Sequence, residues 1–174
     1  MKNRVIDIRF LSFQEVLISS LIGEVGVYVI WDSRSQSKPR YIGEGQILNR
    51  LAAHGEREDV TFKAPWDGYI GFIESTDAPV LKKEMAKIVE CLLLQDAEDC
   101  NRYPTGNKHP GSLSKVGKWC KKGKVRVNIR GLNPFSHPRR PLKTASFGRS
   151  AKQIEATWNE GKNDWEYFSD FRSR

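Results

Sequence analysis

The sequence predicts an α+β fold, and three stretches carry that prediction. Residues 26–32, GVYVIWD, are a continuous apolar run, the texture of a strand buried on both faces. Residues 40–45, RYIGEG, return after the polar loop SRSQSKP, which is longer than a tight turn, so the two runs make a β-hairpin. Residues 78–96, APVLKKEMAKIVECLLLQD, place Leu81, Met85, Ile88 and Leu92 at helical spacing and form the clearest helix of the chain.

The other elements follow in order. VIDIRF (5–10) alternates and reads as a short strand. SFQEVLISSLI (12–22) has helical apolar spacing after a serine start signal. QILNRLAAH (46–54) begins after Gly45 and spaces Ile47, Leu48 and Leu51 as a helix, with Arg50 and His54 four apart on one face. WDGYIGFIES (66–75) is a third strand. After NRYPTGNKHPGSLSK, a loop, KVRVNI (124–129) alternates, and its lysines place it at a sheet edge. GLNPFSHPRRP is again loop, and residues 150–171 read as a short helix followed by an amphipathic, acidic and aromatic tail.

With 174 residues the chain holds one domain, or one plus an appendage. A hydrophobic fraction of 39% beside 29% charged residues indicates a globular core with polar extensions. No apolar run approaches the length of a membrane span, and MKNRVIDIRF lacks the apolar stretch of a signal peptide, so a cytoplasmic protein is expected. Cys91, Cys100 and Cys120 form no CxxC pair and no zinc-ligand spacing with His109 or His137, which fits reduced thiols.

The charge is unevenly spread. Net charge is +8, yet residues 102–152 hold 14 Lys and Arg and no Asp or Glu. A one-signed block of that size is the footprint expected for a polyanion. Trp119, Val125, Val127, Ile129 and Phe135 are interleaved with the charges, so the block folds, and contact with nucleic acid is the expectation.

Several single residues are ambiguous alone. Glu90 lies among Ile88, Val89, Cys91, Leu92, Leu93 and Leu94, where a carboxylate is costly unless it pairs or binds a cation. A salt bridge to Lys83 or Lys87 is the plain alternative. Arg50 alone is a solubilising residue, His54 alone a helix-end charge, and Tyr28 and Tyr41 alone ordinary strand residues.

Taken together, GVY at 26–28, YIG at 41–43, Arg50 and His54 on the next helix and Glu90 on the one after resemble a GIY-YIG nuclease domain over residues 25–101. The first word reads GVY, an aliphatic swap. The resemblance implies a small three-stranded antiparallel sheet flanked by helices, with residues 1–24 and 102–174 as extensions. It implies a DNA endonuclease that hydrolyses phosphodiesters with one divalent metal, Mg2+ or Mn2+. Tyr28 and Tyr41 then sit by the nucleophile, Arg50 grips the scissile phosphate, His54 helps activate the base, and Glu90 binds the metal. Asn101 takes the place of the asparagine that follows the glutamate, with Asn107 as the later alternative.

Gly43 and Gly45 let backbone approach the nucleic acid, or are plain turn glycines. Lys118, Lys121, Lys122, Lys124, Arg126, Arg130, Arg139 and Arg140 are expected to track the backbone of duplex DNA and to make binding salt-dependent. Two rivals remain: a binding module of the same fold without catalysis, and an interaction protein that docks a partner through NDWEYFSDF. Restriction, mobile-element and repair roles are all open, and a homo-oligomer is compatible with the sequence but not required by it.

Overall fold

The computed structural model describes residues 3–31, 37–56, 67–108, 113, 123–144 and 152–171. Strand β1 (Asn3–Ser12) leads through a 3-10 turn (Ile18–Leu21) to the hairpin β2 (Val25–Trp31) and β3 (Tyr41–Gln46). Helix α1 (Ile47–Glu56) follows β3 directly, then come β4 (Asp67–Ile73), α2 (Pro79–Asp99), β5 (Lys124–Gly131), β6 (Lys152–Asn159) and β7 (Asp164–Ser169). All seven strands share one sheet, in the order β3-β2-β4-β1-β5-β6-β7. Every pairing is antiparallel except β1 with β5.

This corrects the expectation of a small three-stranded sheet flanked by helices. The three strands β3, β2 and β4 exist and pair as expected, but the sheet does not stop at β4. Strand β1 alternates, with Ile6, Ile8 and Phe10 fully buried, and Ile8 pairs with Ile73 on one side and Ile129 on the other. The segments expected as extensions therefore supply four strands of the same sheet.

Three local readings are also corrected. The helix expected over 12–22 is one 3-10 turn. Ser12 N–H and Oγ–H both donate to Glu15 Oε2, a local turn, and Phe13 N–H bonds to Gly68 of β4, which ties the chain to the sheet before a helix can propagate. Strand β5 is interior, not an edge, and its polar residues alternate because one face is core and the other solvent. Residues 150–171 contain the hairpin β6–β7 instead of a helix and tail: Ile154 and Ala156 point inward, Trp158 meets Trp165 across the strands, and Asn163 takes the positive φ of the turn.

Strand β2 is buried at all seven positions, as its sequence predicts, because helices cover both faces. Val25, Val27, Val29, Trp31 and Ile42 share a core with Met85, Ile88, Val89 and Leu92 of α2. On the opposite face Ile47, Leu48 and Leu51 of α1 pack with Leu21, Ile70 and Phe72. The terminal strand β3 thus lies between α1 and α2, and a site there can draw on both. Among the described residues no helix is long and apolar enough to cross a membrane.

A mutation in the central strand tests this topology. Ile8 is fully buried between β4 and β5, so Ile8→Ala is expected to cost about 2–5 kcal/mol in urea unfolding. A cost near zero would mean that β1 is an appendage.

Candidate active site

The register of β2 and β3 builds the first half of the site. Tyr28 stands opposite Gly43, and Tyr41 opposite Ile30. Tyr41, Gly43 and Gly45 share one face of β3 by strand alternation. A Cβ on Gly43 would lie 2.5 Å from both Cζ and Oη of Tyr28 and 2.6 Å from Cε1 of Tyr41. Only a residue with no side chain leaves the two rings where they are, 6.0 Å apart and 20° from parallel.

Helix α1 starts without an intervening loop, so its face is positioned by β3. His54 is buried, with its ring edge-on to Tyr28 at 5.6 Å and to Tyr41 at 4.7 Å. Tyr28 Oη and His54 Nε2 form a 2.9 Å hydrogen bond. The phenol donates when the imidazole carries its proton on Nδ1; in the other tautomer Nε2–H donates to the phenol oxygen. Arg50, one turn earlier, is exposed and crosses Gly45, where a Cβ would sit 3.2 Å from its Nε. Gly45 has φ of +127°, a conformation that itself favours glycine. Both glycines therefore serve to seat a functional side chain, Gly43 the tyrosines and Gly45 the arginine.

Helix α2 brings the second half to the other side of β3. Its first turns are anchored to the start of β2 by a 2.7 Å salt bridge between Lys82 and Glu24, both largely buried. A groove of about 580 Å³ runs between β3, α1 and α2, lined by Glu44, Gly45, Asn49, Arg50, Val80 and Lys83 among others. Lys83, Lys87 and Glu90 lie on one helical stripe, so Glu90 is two turns beyond the groove's α2 wall.

Glu90 makes no hydrogen bond or ion pair with a described residue, so the salt bridge to Lys83 or Lys87 is not formed. Burial, reinforced by the charge of Glu44 and opposed by Arg50 and Lys87, pushes its pKa up to about 7. Burial also raises the Tyr28 phenol; Tyr41, Glu90 and Glu44 add to this, and Arg50 opposes it. These couplings tie Tyr28, Tyr41, Arg50, Glu44 and Glu90 into one electrostatic neighbourhood around the edge of the sheet.

Two members of this neighbourhood escaped sequence reasoning. Glu44 Oε2 is shielded from water with no hydrogen-bond partner. The Tyr103 hydroxyl is likewise buried and unpartnered; burial, then Glu98, Glu90, Cys91 and Tyr41, push its pKa up to about 12. Glu44 had one signal, a carboxylate inside YIGEG; Tyr103 had none.

The asparagines divide differently from the expectation. Asn101 is exposed with φ of 55° just past the end of α2, about 16 Å along the helix direction from Glu90. Asn107 instead clasps the edge strand: its Oδ1 accepts from Ile42 N–H at 3.0 Å and its Nδ2 donates to Ile42 C=O at 2.8 Å. Ile42 lies between Tyr41 and Gly43, so of these two asparagines Asn107 is the one bonded to the site's strand, and it holds main chain.

Three of the eight expected basic contacts are engaged in ion pairs. Lys124 and Arg126 pair with Glu155 at 2.6 and 3.0 Å, and Arg130 lies 3.5 Å from Asp7 and 3.9 Å from Glu74. Arg139 and Arg140 are exposed in the turn after His137. Lys118, Lys121 and Lys122 lie outside the described residues.

The site suits a hard divalent cation by donor chemistry. Its carboxylates, Glu44 and Glu90, are oxygen donors, and Mg2+ is commonly held by one or two carboxylates plus waters and substrate phosphates. Among the described residues no group of three His, Cys, Asp or Glu side chains is placed to enclose a metal. Comparison with known proteins gives no family model, no curated protein and no solved structure that matches this chain.

A pH dependence follows from Glu90. Its carboxyl holds its proton more tightly in the folded state than its ordinary value of 4.5, so its stabilising contribution is present below pH 4.5 and lost as pH rises through about 7. In chelator, Glu90→Gln and wild type are expected to match in urea unfolding at pH 4.5. At pH 8 the variant is expected to be more stable, by at most ~3 kcal/mol. Equal stability at both values would mean that Glu90 is solvated.

Proposed function

We propose that this protein is a divalent-metal-dependent DNA endonuclease that hydrolyses phosphodiester bonds at the edge of β3. The reading is supported above all by Tyr28, Tyr41, Arg50, His54 and Glu90, which lie on four elements, β2, β3, α1 and α2, grouped about the edge strand β3. Reduced thiols and a DNA substrate suit a cytoplasmic protein.

Each side chain has a task that its placement favours. Arg50 carries a permanent charge on an exposed planar fork at the groove, suited to two oxygens of a phosphate. Tyr28 is aimed at His54, so a proton taken from an attacking water has a path from the water to the phenol oxygen and on to the imidazole. As the new O–P bond forms, the bond to the leaving sugar oxygen breaks and that oxygen gains a proton from solvent. Tyr41 flanks the same imidazole and keeps it in orientation. Buried Tyr28 holds its own proton more tightly than a free phenol, so the positive charge of Arg50 is needed beside it. Glu90 would hold the cation, which supplies charge neutralisation at the phosphate and at the leaving oxygen.

The test is nicking of supercoiled plasmid with Mg2+ or Mn2+. Glu90→Ala and Arg50→Ala are each expected to slow nicking by about 100-fold or more, and Glu90→Ala to keep its gel-shift affinity for DNA. Wild type that binds DNA but nicks no substrate with either ion would identify a binding module instead.

A further inference from the structure

We propose that the groove between β3, α1 and α2 seats one unstacked nucleobase of the bound strand, and that Gln46 and Asn49 read its edge. The inference rests on the nuclease reading and names a substrate class for it: DNA with an unpaired nucleotide beside the phosphate that Arg50 grips. The groove holds about 580 Å³, within the ~300–1,000 Å³ of ordinary small-ligand sites. Val25, Ala53, Pro79 and Val80 give it apolar walls, and Val80 is 74% exposed, so that wall is open to a flat ring. Apolar side chains on either side are how a base taken out of its stack is held.

Two amides line the same groove. Asn49 Nδ2–H donates to Gln46 Oε1 at 2.7 Å. Gln46 ends β3 and Asn49 lies in the first turn of α1, so the bond spans their junction and fixes both amides. It leaves the Gln46 Nε2 donor and the Asn49 Oδ1 acceptor without another hydrogen-bond partner among the described residues. Reversing both amides exchanges the roles and still leaves one donor and one acceptor. That pair complements a base edge such as adenine, where a donor and an acceptor stand side by side. A phosphate would offer acceptors alone. Arg50 and Lys83 also line the groove, and their charges suit the phosphates on either side of the base. A base stacked within a duplex does not reach into a concave site, and extruding one costs least where it is already unpaired.

Fluorescence anisotropy on the full chain in chelator, where nothing is cut, tests this with two labelled duplexes. One carries a single unpaired adenine, the other an abasic residue in its place. Wild type is expected to bind the adenine duplex about tenfold more tightly, the worth of one good base contact. The double variant Gln46→Ala, Asn49→Ala and the single variant Ala53→Leu, which narrows the groove, are each expected to bring that ratio close to one. All three positions are exposed, and thermal melts establish that the variants are folded. Equal wild-type affinity for the two duplexes overturns the proposal, and beside metal-dependent nicking it leaves the nuclease reading intact. A tenfold ratio that survives in both folded variants also overturns it, since the base then sits elsewhere. A ratio lost in the variants, with a wild type that nicks no DNA, upholds the base site and removes the nuclease reading. No binding to either duplex overturns both.

Discussion

Tyr28 faces Gly43 across two hydrogen-bonded strands, and the rest of the site depends on that pairing. The glycine leaves the space in which the two phenol rings lie nearly parallel, and their edges then leave a slot for the imidazole of His54. Because α1 grows directly out of β3, the same register that seats the rings also sets the height of His54 and Arg50. A slip of one residue in the hairpin would turn Tyr41 and Gly43 to the α2 face and dismantle all four positions together. Asn107 guards against such a slip from outside, since it bonds both main-chain groups of Ile42 on the exposed side of β3.

The electrostatics are arranged around what is left unpaired. Charged residues on the open face of β1, β5 and β6 neutralise one another: Arg9 pairs with Glu74, and Arg126 with Glu155. At the other end of the sheet, Glu44 and Arg50 line one groove without pairing, and Glu90 of α2 pairs with no described residue. A protein that satisfies its charges in one region and leaves them uncompensated in another marks the second region as the place where something else is expected to bind. The basic block that dominates the sequence is, in the described strands, largely structural.

The legible parts of the sequence were those with local signals. GVYVIWD announces a doubly covered strand because residues 26–31 are all apolar, and of the residues singled out together Tyr28, Tyr41 and His54 come into direct contact. The central place of β1 was not legible, because its parallel partner lies more than 100 residues away, as the bond between Asn128 and Asp7 shows. The alternation of Ile154 and Ala156 in the C-terminal hairpin is hidden among acidic and aromatic residues, which read as a short helix and an amphipathic tail. Glu44 and Tyr103 were passed over because an unpartnered buried oxygen is a property of tertiary packing, and no pattern of residue types displays it.

The claim at the centre of this account is that groups from β2, β3, α1 and α2 surround one cation. A crystal soaked in Mn2+ and measured near the manganese absorption edge tests it most directly. The account predicts an anomalous peak about 2.1 Å from the Glu90 carboxylate. A map in which that position is empty and Glu90 is bonded to a lysine would contradict it.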